Sequence, residues 1–140
     1  IVKMGQLLLN FILHHFLNAN VNSIVVLNCW SLQTQCDFSK MLNEHSLYSR
    51  FVNIETLDMS SDFEYRYLLH KRPVLGVFFD MNCSRAEQLL SILNQSRLYN
   101  GRFKWLLYDR NADVHNFKRL FDDANIGVDA ELTYAILKPT

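Results

Sequence analysis

Glycine and proline are scarce in this chain, with four Gly and two Pro in 140 residues. No Pro/Gly-rich linker, low-complexity tract or internal repeat divides it. An excess of charge of either sign is also missing. Lys+Arg and Asp+Glu number 14 each, and no run of like charge or basic helix face occurs. That balance gives no electrostatic case for binding nucleic acid or an anionic membrane. No stretch reaches the roughly 18 uninterrupted apolar residues of a membrane helix.

What is present is ordinary globular composition. Hydrophobic residues make up 49%, charged residues 20% and aromatics 13%, with ten Phe, which argues against disorder. A chain of this length suggests a single domain, 1–140. It buries about two thirds of its unfolded surface, enough for a real core.

The most apolar stretch, Leu7 to Leu17, is interrupted by Asn10, His14 and His15. It can be read as a signal peptide or as an amphipathic helix. Paired His and the lack of a small-x-small cleavage site favour the helix. Its expected core stripe is Leu8, Phe11, Ile12, His15 and Phe16. With Ile1 leading and Met4 internal, the chain is expected to lack its natural start.

Strands and helices then alternate. Ser23 to Cys29 is a β-branched apolar run, typical of a buried parallel strand. Asp37 to Asn43 reads as helix. Phe51 to Leu57 alternates apolar and polar residues, like an edge strand. A helix over 62–70, capped by Ser60-Ser61-Asp62, ends before Pro73. Val74 to Phe79 is apolar on both faces and therefore central. Ser84, with Glu87 three residues on, predicts a capping box. The helix it opens turns Leu89, Leu90, Ile92 and Leu93 inward and ends at Asn100-Gly101. Phe103 to Tyr108 is the next strand. Asp113 opens a helix with Val114, Phe117, Leu120 and Phe121 inward, and Leu132 to Leu137 is the last strand.

This alternation over short links predicts an α/β fold: a three-layer, doubly wound, mostly parallel sheet. The edge-like second strand and central third strand suit the flavodoxin-like order 2-1-3-4-5, also that of one periplasmic-binding-protein-like lobe.

Such sheets often bind nucleotides through glycine-rich loops. Gly5, Gly76, Gly101 and Gly127 form no such loop, and Cys29-Trp30-Ser31-Leu32-Gln33 after the first strand is bulky. His14, His15, His45, His70 and His115 lack H-E-x-x-H spacing, so surface and capping roles are expected rather than a metal. No G-x-S-x-G elbow occurs. Asp80 ends the central strand, where functional carboxylates often stand; a turn and capping role is the favoured reading. No catalytic residue and no cofactor is expected.

Cys29 and Cys83 follow the first and third strands, which are neighbours in the 2-1-3-4-5 order, ~4.8 Å apart. At matching heights they could meet the Cα spacing of a disulfide, ~5.5 Å. Three buried reduced thiols fit the pattern equally well. Cys36 is left over on a helix face. Asn82-Cys83-Ser84 and Asn94-Gln95-Ser96 are glycosylation sequons, so Asn94 and Asn82 are candidate acceptors. Tyr65, Tyr67, Tyr99 and Phe103 are either a contact patch or core.

Four blocks carry a resemblance. They are I-V-V-L-N-C-W (24–30), P-V-L-G-V-F-F-D-M-N-C (73–83), Y-N-G-R-F-K-W-L-L-Y-D (99–109) and I-G-V-D-A-E-L-T-Y-A (126–135). Together they resemble the amino-terminal extracellular region of insect chemosensory ionotropic receptors, in the branch sensing acids and amines. The resemblance implies that the chain is a fragment of a ligand-gated cation channel assembled with co-receptor subunits of the same family. The membrane would then be met only through parts of the parent not present here. Cys29 and Cys83 match a Cys pair of that branch, which implies a disulfide between them.

Overall fold

The computed structural model describes residues 4–58, 74–95, 101–110, 114–122, 126 and 131–136. Five segments become five parallel strands: β1 (Ser23–Asn28), β2 (Tyr48–Asn53), β3 (Leu75–Asp80), β4 (Phe103–Tyr108) and β5 (Glu131–Ala135). Their order is β2-β1-β3-β4-β5, and every adjacent pair is parallel. The sheet is thus wholly parallel among the described strands. Every residue of β1 and β3 is buried, as interior strands covered on both faces must be.

Helices lie on both faces. On one side α1 (Met4–Asn18) and α2 (Leu32–Glu44) cover Ile24, Val26, Phe78 and Leu106. On the other, α3 (Ala86–Gln95) and α4 (Val114–Phe121) cover Val77, Phe79, Trp105 and Leu107. Alternate residues of each strand supply the two cores, because side chains of a strand point alternately to opposite faces.

In α1 the buried stripe is Leu8, Leu9, Ile12, Leu13 and Phe16, not the predicted one. The helix is rotated, so Leu9 and Leu13 pack inward while Phe11 stands 42% exposed and His15 half-buried. Phe16 sets this rotation. Its ring lies where a Cβ on Gly76 would stand, 2.7 Å away, so only glycine lets α1 approach β3 this closely. Phe16 and Ile12 are fully buried, each contributing about 2–3 kcal/mol of transfer free energy. The stretch is therefore a core helix of the fold.

Other boundaries moved. The second helix begins at Leu32, five residues before Asp37, because Ser31 caps it by accepting the Thr34 N–H. Leu32 is 76% exposed and breaks the apolar periodicity that would have announced this start. β2 begins at Tyr48, and its predicted end, 54–57, contains the 3₁₀ turn Ile54–Thr56, capped by Asn53. The capping box does not form. Ser84 precedes the helix and donates to Glu55, while Glu87 pairs with Arg119 of α4 at 3.3 Å on the surface. The third helix turns Ala86, Leu89, Leu90 and Leu93 inward, with Ile92 partly buried. Leu120 and Phe121 of α4 pack on the core. The helix expected over 62–70 lies outside the described residues.

Candidate functional site

In open α/β sheets the ligand crevice lies beyond the carboxyl ends of the strands, where the strand order reverses. Here that point falls between β1 and β3. Both strands end in a buried polar residue, Asn28 and Asp80, and Asp109 follows β4 in the same way. Each has a structural partner. Asn28 donates to the Val26 and Val52 carbonyls at 3.0 and 3.4 Å, and its Oδ1 accepts the Trp30 N–H at 3.0 Å. Asp80 Oδ2 accepts the indole N–H of Trp30 at 2.8 Å, and Oδ1 accepts the backbone and side-chain N–H groups of Asn82 at 2.9 and 2.8 Å. Asp109 Oδ2 accepts the Tyr134 hydroxyl at 3.0 Å.

Trp30 packs beside this point between β1 and β3. Its ring packs at 5.4 Å from Phe78 and 5.9 Å from Phe38, centroid to centroid, while its N–H reaches Asp80. An aromatic body with a satisfied polar tip is the arrangement that buried Trp favours. Asn82 extends the network, its Oδ1 accepting the Arg110 N–H at 2.9 Å. Asp80 therefore acts as the turn residue read from the sequence.

Cys29 and Cys83 meet beside Trp30. Their sulfurs are joined at 2.16 Å, with Cα atoms 5.8 Å apart. Parallel register pairs Leu27 with Phe79, and the turn over 81–85 brings Cys83 back to Cys29. Cys36 is free and exposed on α2. Glu55 stands close to the bridge. One of its oxygens and the two sulfurs lie within 4.8 Å of one another, a spacing that suits a metal ion. The bridge removes both thiolates, and the carboxylate already accepts the Ser84 N–H at 2.8 Å and the Ser84 hydroxyl. The hydroxyl bond is the main cause holding the Glu55 carboxyl below its usual range. Arg85 completes the knot, donating from Nη1 to the Ile54, Glu55 and Leu57 carbonyls at 3.3, 3.1 and 2.9 Å.

Asn82 lies in this partly buried turn with its amide engaged at both ends. Asn94 is half-buried in the last turn of α3, and Ser96 of its sequon lies outside the described residues. Phe103 is 1% exposed and belongs to the core, which removes it from any contact patch. Tyr65, Tyr67 and Tyr99 lie outside the described residues. Sequence reasoning passed over Asn28, Glu55, Arg85 and Asp109, and saw in Trp30 only bulk. A signal existed for two of them, since Asn28 and Asp109 are lone polar residues closing apolar runs, as Asp80 is. Nothing local marks Glu55 or Arg85, whose partners are about 30 residues away.

Among the described residues no helix is long and apolar enough to cross a membrane. No solved structure matches the chain. Ionotropic receptor 75a of Drosophila sechellia is 30% identical over 131 residues, covering 91% of this chain and 21% of that protein. Ionotropic receptor 75a of Drosophila melanogaster is 29% identical over the same length and shares. The chain thus spans about a fifth of these curated relatives. The family model described as "Ionotropic receptor 75a N-terminal" matches residues 6–140, and the chain belongs to that family.

Proposed function

We propose that this chain is the amino-terminal, extracellular module of an insect olfactory ionotropic receptor, and that it serves assembly and trafficking rather than odorant recognition. The parent would be a ligand-gated cation channel for small odorants such as carboxylic acids or amines. Its partners would be co-receptor subunits of the same family, at the surface of sensory-neuron dendrites. The relatives' name, Ionotropic receptor 75a, supports the channel reading. In that setting the chain folds as one unit and performs no chemistry. Asn94 and Asn82 are its candidate glycosylation positions, Asn82 being the more hindered because Cys83 beside it is bridged.

The observation supporting the non-recognition role is that Trp30 and a disulfide pack at the switch point. A free-standing small-ligand module would bind at the carboxyl ends of β1 and β3. Trp30, the Trp30–Asp80 hydrogen bond and the Cys29–Cys83 bridge lie there. The test is deletion of this region from the full receptor, followed by surface labelling and ligand-evoked currents. Loss of surface receptor, with unchanged ligand ranking in the surviving channels, is expected. Normal surface expression with a changed ranking overturns the assembly role.

A further inference from the structure

The turn between β3 and α3 contains the sequon Asn82-Cys83-Ser84, and the fold engages all three of its residues. Asn82 Nδ2, the atom to which a glycan is joined, donates to Oδ1 of buried Asp80 at 2.8 Å. The backbone N–H of Asn82 donates to the same Asp80 oxygen at 2.9 Å, and Asn82 Oδ1 accepts the Arg110 N–H at 2.9 Å. Cys83 is 5% exposed and joined to Cys29. The Ser84 hydroxyl and N–H both donate to the Glu55 carboxylate, the N–H at 2.8 Å. Cys29, Glu55 and Arg110, from three separate segments, thus hold three consecutive residues.

Asparagine glycosylation makes demands that this arrangement opposes. The transferring enzyme must close around the acceptor amide and the hydroxyl two residues on, and the product carries a bulky sugar that belongs on an open surface. In the step, the amide nitrogen bonds to the anomeric carbon of a lipid-pyrophosphate-linked oligosaccharide. The bond from that carbon to the pyrophosphate oxygen breaks, the lipid pyrophosphate leaves with the electron pair, and the amide nitrogen gives up one proton. Nothing is oxidised or reduced. The step cannot begin at a nitrogen turned to a buried carboxylate, in a turn tied down by a disulfide. We propose that Asn82 is a glycan acceptor only while Cys29 and Cys83 are apart, so that closure of the bridge locks the sequon. An unmodified Asn82 then marks a chain whose rim has folded. The proposal deepens the extracellular reading and rests on it, because the secretory lumen is where a chain meets both the oligosaccharide donor and oxidising conditions.

The test is expression of the 140-residue chain behind a secretion signal in insect cells. Glycans are released enzymatically in heavy-oxygen water, which marks each formerly glycosylated Asn, and the peptide containing Asn82 is read by mass spectrometry. Cell-associated and secreted protein are both read, so a variant that is retained still counts. Cys29→Ser leaves the sequon intact and removes the bridge. Occupancy of Asn82 is expected to be low in wild type and to rise severalfold in Cys29→Ser. It is expected to rise likewise in wild-type chain synthesised under a membrane-permeant dithiol, an arm that needs no substitution. Equal occupancy with and without the bridge overturns the proposal, as does an Asn82 that stays unmodified in all three samples. The added signal delivers the chain to the lumen in every case, so these results are separate from the receptor reading, whose own failure shows in the deletion experiment on surface expression and currents.

Discussion

The two ends of the sheet treat their polar groups in opposite ways. At the carboxyl ends of the strands Asn28, Asp80 and Asp109 are buried and partnered, and a disulfide and a tryptophan pack between β1 and β3. At the amino ends Ser23 is buried with its hydroxyl unpartnered among the described residues, beside a cavity. Folds of this type ordinarily keep the first end open for ligands. Here, among the described residues, Trp30 and the bridge pack between β1 and β3, and a wider groove opens beside them between the start of α1 and the start of α2, lined by Gly5, Gln6, Ser31, Gln33 and Thr34. Architecture thus indicates where to look, and the residues decide what is found there.

The largest expected effect breaks both ends at once. Phe78 is fully buried at the middle of β3, between Val26 of β1 and Leu106 of β4. Phe78→Asp places an unpaired carboxylate there, at a cost of several kcal/mol, comparable to the whole stability of a domain this size. Loss of the cooperative melt in circular dichroism is expected. Leu75→Asp, beside the cavity, is expected to destabilise less, because its carboxylate can reach solvent. Equal melting of wild type and Phe78→Asp would show that the two ends do not share one central strand.

A second change acts at the carboxyl end alone. The Cys29–Cys83 bridge closes a separation of 54 residues. Its removal in the Cys29→Ser, Cys83→Ser double variant is expected to cost about 2–4 kcal/mol in urea denaturation. Non-reducing peptide mapping of secreted protein should recover Cys29 linked to Cys83 and Cys36 as an alkylated thiol. Alkylation of all three thiols in the native protein would remove the bridge from this account.

The smallest effect belongs to the amino end. His15 lies near the end of α1, half-buried, and burial lowers its pKa from 6.5, with Glu131 of β5 opposing the shift. The folded state therefore holds the proton less tightly than the unfolded state. Stability is complete above the unfolded pKa and declines as pH falls below about 6.5 towards the folded value. Solvent reaches the ring, so the decline is modest. Urea midpoints at pH 7 and pH 5 should differ more for wild type than for His15→Gln. An identical difference in both proteins would assign the pH dependence elsewhere.

Much of this architecture was legible before any coordinates. The runs at 23–29 and 74–79 read as buried strands, and the edge-like alternation at 51–57 beside the central run at 74–79 suited the 2-1-3-4-5 order. The start of α2 was hidden, because exposed Leu32 interrupts the periodicity while the cap at Ser31 is a single residue. The rotation of α1 was hidden too. Any rotation exposing His14 and Asn18 satisfies its pattern, and only the contact of Phe16 with Gly76 selects one.

By itself the sequence determined the layers, the strand order, the lack of a phosphate loop and the family blocks. These depend on local periodicity and on residue types at short spacing, which neighbours along the chain already express. Tertiary structure alone decided that Trp30 reaches Asp80, that Glu55 and Arg85 knot the rim, and that Ser23 has no partner among the described residues. Each of those outcomes depends on atoms brought together from segments some 25 to 50 residues apart. Whether a buried polar atom is satisfied is a property of that assembled neighbourhood, and no periodicity along the chain encodes it.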